Sequence, residues 1–79
     1  MSKELAGLLN GPEPISVVVT DCWHSCCGKA PHHRAGYEQT YVGRPQVNDG
    51  KLTLVSDGLG TVSYIIVCDV ESVVDAVRI

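Results

Sequence analysis

The sequence predicts a mainly β domain of the α+β kind, in which a short N-terminal helix precedes a five-stranded small barrel. The chain has 79 residues, enough for one domain spanning 1–79. It contains no Phe and one Trp, so aliphatic side chains must fill the core. Many of these are Val and Ile, which favour strands because they branch at Cβ.

The first 14 residues predict a helix and a linker. Residues 3–9 form about two helical turns, with Leu5, Leu8 and Leu9 on one face. Ser2 serves as the N-cap, and Pro12 cannot continue the helix. Two turns are not stable alone, so we expect this helix to dock on the rest of the domain.

The next segment predicts a strand over 15–20 and then a long polar loop over 22–36. This loop holds three of the four cysteines and all three histidines. Loops of such length in small domains usually carry function or are poorly ordered.

From Tyr37 onwards, the pattern predicts a meander of strands at 37–42, 51–56 and 61–68. Asn48, Asp49 and Gly50 form a hairpin turn because they tolerate positive φ, and 57–60 form a second turn. Pro45 marks a bulge or an edge. The strand 61–68 is apolar on both faces, which predicts a central strand covered on both sides.

The last segment allows two predictions. Val70, Val73, Val74 and Val77 have helical spacing. The same residues also fit a short turn over 69–72 followed by a closing strand over 73–78, which β-branching favours.

The order of elements in 51–79 resembles the closing half of SH3-like and Sm-like small barrels. Its features are a strand, a tight turn, a second strand, the short 69–72 segment and a final strand. The resemblance implies a five-stranded barrel. Sm-like proteins commonly form rings and bind RNA, but the Gly and Asn positions typical of them are missing.

Several side chains between 21 and 34 can bind zinc, which prefers four Cys or His ligands. The candidate ligands are Cys22, Cys26, Cys27, His32 and His33, with His24 as a competing ligand. The spacing from Cys27 to His32 matches a zinc knuckle, but the first Cys pair is wider. A redox or disulfide role and an inert loop therefore remain open beside a metal site.

Charge and hydropathy argue against some function classes. The net charge is −3 with no run of Lys or Arg, so nucleic-acid binding is disfavoured. No apolar stretch reaches the roughly 18–20 residues of a membrane span. The N-terminus lacks the apolar region of a signal peptide, so a cytoplasmic protein with reduced thiols is expected.

These observations predict a non-enzymatic binding or adaptor module that acts through protein contacts and forms a homo-oligomer. Trp23, Tyr37 and Tyr41 are the expected contact residues, because aromatic side chains are enriched at interfaces. A Cys/His nucleophile is conceivable, but a domain this small rarely supplies the pocket that catalysis needs. The alternatives are a metal- or thiol-responsive protein using 22–33 and an Sm-like RNA-binding barrel.

Overall fold

The computed structural model describes residues 3–26, 30–56 and 64–79, and it is mainly β with one short helix, as predicted. The elements in chain order are α1 (Lys3–Leu9), β1 (Ile15–Cys26), β2 (His32–Asn48), β3 (Lys51–Val55), β4 (Tyr64–Asp69) and β5 (Val73–Arg78). A single 3₁₀ turn, Val70–Ser72, joins β4 to β5.

The five strands form one antiparallel sheet whose central member is β1. This strand pairs with β2, β4 and β5, while β3 lies between β2 and β4. The pairings β1–β2, β2–β3, β3–β4 and β4–β1 therefore form a closed ring, which is compatible with a small barrel. β5 lies outside this ring, against the first half of β1.

The inner side of the ring holds the core. Its members alternate along each strand, because successive strand residues point to opposite faces. The buried apolar residues are Leu9, Ile15, Val17, Val19, Cys22, Tyr41, Leu52, Leu54, Ile66, Cys68 and Ala76. Leu9 brings α1 onto the core, with Leu5 and Leu8 partly buried, so the predicted helix docks as expected; its proposed cap, Ser2, lies outside the described residues.

The prediction of a loop over 22–36 is wrong for most of its length. β1 continues to Cys26 and β2 begins at His32, and the two strands pair Cys22 with Arg34 and His24 with His32. The polar composition of 22–36 predicts a loop, but an antiparallel hairpin accommodates polar residues because one of its faces is solvated. Residues 27–29 lie outside the described ranges.

A bulge in β2 explains why the predicted strand 37–42 is only part of a longer one. Val19 pairs with Gln39, whereas Asp21 pairs with Ala35, so β2 has two more residues than β1 here. Gly36, at φ +92°, lies in this bulge and adopts a conformation that costs residues with a Cβ atom. Bulges of this kind bend the strand and re-aim its side chains.

The hairpin between β2 and β3 is the predicted one. Asp49 (φ 53°) and Gly50 (φ 73°) both have positive φ, as a two-residue type I′ turn requires. The amide of Val70 donates a hydrogen bond to the Gly50 carbonyl at 2.9 Å, so the 3₁₀ turn packs on this hairpin. The predicted turn 57–60 and the first residues of strand 61–68 lie outside the described residues.

Of the remaining predictions for the C-terminal half, one is confirmed and the others are wrong. The closing strand is present as β5, and the helical alternative for this segment is wrong. The double covering of 61–68 is also wrong, because Ile65 and Val67 point outwards and are exposed. Their neighbours Ile66 and Cys68 fill the core, so β4 is buried on one face only.

Candidate functional site

An exposed apolar patch lies on the outer side of β1 and β4. Trp23 of β1 is paired with Val67 of β4, and Ile65 is the next outward residue along β4. Their exposed fractions are 51% for Trp23, 37% for Val67 and 44% for Ile65. We call these three side chains the Trp23 face.

The indole of Trp23 is held in place by its neighbour on β2. Its ring stacks on that of His33, with 4.8 Å between the ring centroids and an interplanar angle of 26°. The Nε2 atom of His33 in turn contacts the Asp21 carboxylate. Trp23 is therefore exposed but ordered, which lowers the entropy that a binding partner must remove.

A second ion pair lies beyond Val67, between Lys51 of β3 and Asp69 of β4. The hydrogen bond that Lys51 donates to the Asp69 carboxylate raises the pKa of Lys51. A shallow groove of about 140 Å³ lies at this end of the Trp23 face, and both ion pairs contribute to its lining. Exposed pairs of this kind contribute little to stability, so their main effect here is to place two acidic and two basic groups beside an apolar surface.

The opposite, inner side of the hairpin carries a polar network centred on Tyr41. The Tyr41 hydroxyl donates a hydrogen bond to Oε1 of Gln39 at 2.7 Å and accepts one from Nη1 of Arg34 at 3.3 Å. The Sγ atom of Cys22 lies 3.8 Å from the same hydroxyl. Burial, followed by the hydrogen bond with Cys22, raises the pKa of Tyr41.

His24 also belongs to the inner side. Its ring lies 5.7 Å from that of Tyr41 and 5.5 Å from that of Tyr64, measured between centroids. Burial lowers the pKa of His24, and the nearby charges of Arg34 and His32 lower it further. His24 is therefore a partly buried aromatic residue whose environment disfavours its protonated form.

The structure divides the predicted zinc ligands between the two faces of the sheet. Cys22, His24 and Cys26 alternate along the inner side of β1, and His32 is paired with His24. His33 faces outwards beside Trp23, so it cannot share a metal with Cys22. Within 3–26, 30–56 and 64–79, no three His, Cys, Asp or Glu side chains are placed to hold a metal ion. Cys27 lies outside these ranges, so its role as a ligand stays a prediction.

Two of the three predicted contact residues are exposed and the third is buried. Trp23 is exposed, and so is Tyr37, at 57%. Tyr41 is only 8% exposed, because it is paired with Val17 in the regular part of β2 and points into the core, whereas Tyr37 lies in the bulge. Ile65 and Val67 were missed as contact residues, although the period-2 alternation within 64–69 could have indicated them.

Comparison with known proteins adds no relative. No protein-family model, no curated protein and no solved structure matches the chain. Within the part of the chain that the structure describes, no helix is long and apolar enough to cross a membrane. What the domain binds is therefore inferred from the Trp23 face and the charges around it.

Proposed function

We propose that this domain is a non-enzymatic protein-interaction module that self-associates through the Trp23 face. The observation that carries the proposal is the side-by-side exposure of Trp23, Val67 and Ile65 on one continuous sheet surface. Apolar patches rimmed by polar residues commonly mark interaction sites. Tryptophan in particular is enriched among the residues that dominate binding energy.

The charges beside the Trp23 face favour a second copy of this chain as the partner. The whole chain has a net charge of −3, so two copies repel one another at long range. Near the face, however, Asp21 and Asp69 are matched by the basic side chains of Lys51 and His33. A two-fold contact brings a patch against itself, and a patch with both signs of charge can form pairs across such an axis.

The outer edge of β5 is a weaker candidate for self-association. Among the described strands, none pairs with this edge, which would otherwise be a template for an incoming strand. The amide of Ala76, however, donates to Oδ1 of Asp75 at 2.9 Å. Asp75 thus places a charged side chain on this edge strand, and charged side chains are a usual way of protecting an edge.

The barrel type is part of the same proposal. We infer an SH3-like or Sm-like barrel, supported by a helix that precedes the first strand and by the ring of β1, β2, β3 and β4. The 3₁₀ turn between β4 and β5, and the return of β5 to β1, are the further supports. These folds carry many unrelated functions, so the inference adds nothing to the choice of partner.

The thiols support the non-enzymatic part of the proposal. A nucleophilic cysteine needs a lowered pKa, whereas burial raises the pKa of both Cys22 and Cys68. Labelling with iodoacetamide across a range of pH tests this. A thiol that reacts as if its pKa lay well below about 8.5 would contradict it.

Sedimentation velocity over a range of concentrations tests self-association. The Trp23 face is smaller than the roughly 20–30 residues per partner of a standard interface. We therefore expect a weak dimer, with a dissociation constant on the order of 10–100 µM. Sedimentation of a monomer alone up to about 500 µM would exclude the proposal.

Two matched substitutions locate the contact. Val67→Ser removes an exposed valine from the Trp23 face, while Val77→Ser removes an equally simple one from β5. We expect Val67→Ser to weaken the dimer by about tenfold and Val77→Ser to leave it unchanged. The reverse result would move the interface to β5, and circular dichroism checks that both variants are folded.

A further inference from the structure

Two buried cysteines, Cys22 and Cys68, lie directly beyond the last recorded residue pair of β1 and β4. The pairs Trp23–Val67 and His24–Ile66 define the antiparallel register of these strands. One further step in that register places Cys22 opposite Cys68. Both residues belong to the buried core, and both carry free thiols.

We propose that Cys22 and Cys68 are a dithiol site that hydrogen peroxide oxidises to a cross-strand disulfide. Directly opposed residues in an antiparallel pair have Cα atoms about 4.5–5.5 Å apart. A disulfide accepts Cα separations of about 4.4–6.8 Å. The bond can therefore form without a shift of either strand.

The competing pair on the same strand does not have this geometry. Cys22 and Cys26 are four residues apart in β1, which is about 13 Å along an extended strand. Cysteines separated by more than about 7 Å cannot be bridged without movement of the backbone. Among the cysteines that the structure describes, Cys68 is therefore the partner of Cys22.

The surroundings of the two thiols select a small oxidant. Both side chains point to the inner side of the sheet, away from the groove beside Trp23 and Val67, and they are 0% and 4% exposed. Hydrogen peroxide is little larger than water, so it can reach these sulfur atoms when the barrel opens locally. A glutathione disulfide is much larger and cannot reach a fully buried sulfur.

The reaction balances with one peroxide for each pair. The Cys22 thiolate attacks one peroxide oxygen, the O–O bond breaks, and the products are a sulfenic acid and hydroxide. The Cys68 thiol then attacks the Cys22 sulfur, which forms the S–S bond and expels hydroxide. After the two thiol protons combine with the two hydroxide ions, two cysteines have lost two electrons and one peroxide has become two waters.

Cys22 is expected to react first. Burial raises the pKa of Cys22, but the hydrogen bond with Tyr41 and the charge of Arg34 oppose this rise. Burial, together with the nearby Cys22 and Asp69, raises the pKa of Cys68 to about 12. The site is therefore slow to oxidise at neutral pH and responds to sustained peroxide.

Mass spectrometry of a two-cysteine variant tests the proposal. The variant Cys26→Ser/Cys27→Ser leaves only Cys22 and Cys68. After peroxide treatment of the folded protein, we expect a mass lower by two hydrogen atoms and no thiol left for alkylation. Proteolysis should yield a peptide that links the two residues and separates on reduction.

A third substitution and a denatured sample provide the controls. Adding Cys68→Ala should abolish the mass loss and leave Cys22 unmodified or converted to its oxygen acids. The proposal is overturned if both thiols stay alkylatable, if both gain oxygen without a link, or if the link forms only in denaturant. If the serine variant does not fold, the same linked peptide is sought in the natural sequence.

The melting temperature gives an independent readout. The disulfide closes a long loop between β1 and β4, which restricts the unfolded chain. We expect oxidation to raise the melting temperature by roughly 10 °C and dithiothreitol to reverse the rise. A fall on oxidation would mean that the bond strains the native barrel, which contradicts the proposed fit.

Discussion

The hydroxyl of Tyr64 forms hydrogen bonds with both backbone polar groups of Val42, as a neighbouring strand would. It donates a hydrogen bond to the Val42 carbonyl and accepts one from the Val42 amide, each at 2.9 Å. β2 leaves β1 at Gly43 and joins β3 at Arg44. Val42 therefore lies at the transfer point, where its backbone groups would otherwise lack a partner.

Replacing Tyr64 with Phe should destabilise the domain without changing its fold. The substitution leaves the amide and the carbonyl of Val42 unsatisfied, at a cost of about 1–3 kcal/mol in the free energy of unfolding. Urea denaturation monitored by circular dichroism measures this loss. Tyr37→Phe is the matched control, because Tyr37 is exposed, and it should change stability by less than about 0.5 kcal/mol. Equal effects of the two variants would mean that the Tyr64 hydroxyl contributes nothing.

Gly43 also allows β2 to pass from β1 to β3, because it has no side chain. A Cβ atom at this position would lie 2.6 Å from the Val55 carbonyl oxygen and 2.9 Å from Cγ of Leu54. Because the first of these is a backbone atom in a paired strand, the clash cannot be relieved by a rotamer change. Gly43→Ala should therefore reduce the free energy of unfolding by roughly 2–4 kcal/mol, or prevent folding.

The control for Gly43 is Gly7, where an added Cβ would meet no atom within 4 Å. Gly7 lies in α1, and alanine is the better helix former by about 0.5–1 kcal/mol. Gly7→Ala should accordingly raise the melting temperature slightly. A Gly43→Ala variant as stable as the natural sequence would show that β2 and β3 can separate at this point without loss.

His24 should make stability depend on pH in the mildly acidic range. The folded protein lowers the pKa of His24, while the unfolded chain keeps it near 6.5. The unfolded state therefore binds the proton more readily, and the stability present above about pH 6.5 is lost as the pH falls below it. His24→Phe keeps an aromatic ring between Tyr41 and Tyr64 and removes the proton.

We expect the slope of unfolding free energy against pH, between about 7 and 5, to be shallower for His24→Phe than for the natural sequence. Chemical denaturation at several pH values measures both slopes. Parallel curves would show that His24 titrates alike in the folded and unfolded states.

Local chemistry predicted much of the fold from the sequence. Asp49 and Gly50 form a turn because both tolerate positive φ, and the β-branched residues of 73–78 adopt a strand whatever their helical spacing. The hairpin of β1 and β2 was not predictable in this way. Its polar residues satisfy their backbone groups by pairing with one another, and such pairing depends on a register that local composition does not contain.

The arrangement of the candidate site could likewise be predicted only in part from the sequence. The cluster of Cys and His between 22 and 33 indicated where to look, but the alternation of the strand sends His33 outwards and Cys22 inwards. The burial of Cys22 and Cys68 next to the last residue pair of β1 and β4 depends on contact between strands that are distant in sequence. Long-range contacts of this kind are set by tertiary structure, and the spacing of motifs along the chain does not report them.

The division of the ligands leads to a prediction about metal content. Zinc binds tightly when four ligands converge, and here the sheet separates His33 from the inward-facing Cys22. We expect protein purified without a His tag to hold less than about a tenth of an equivalent of zinc. A chelator should leave the melting temperature unchanged, because a structural metal would contribute its binding energy to folding.

Stoichiometric zinc that is lost in both His24→Ala and His32→Ala would instead place a metal site at the inner end of the hairpin, with Cys26 or Cys27 completing it. Zinc lost only in His33→Ala would require β1 and β2 to pair in a different register.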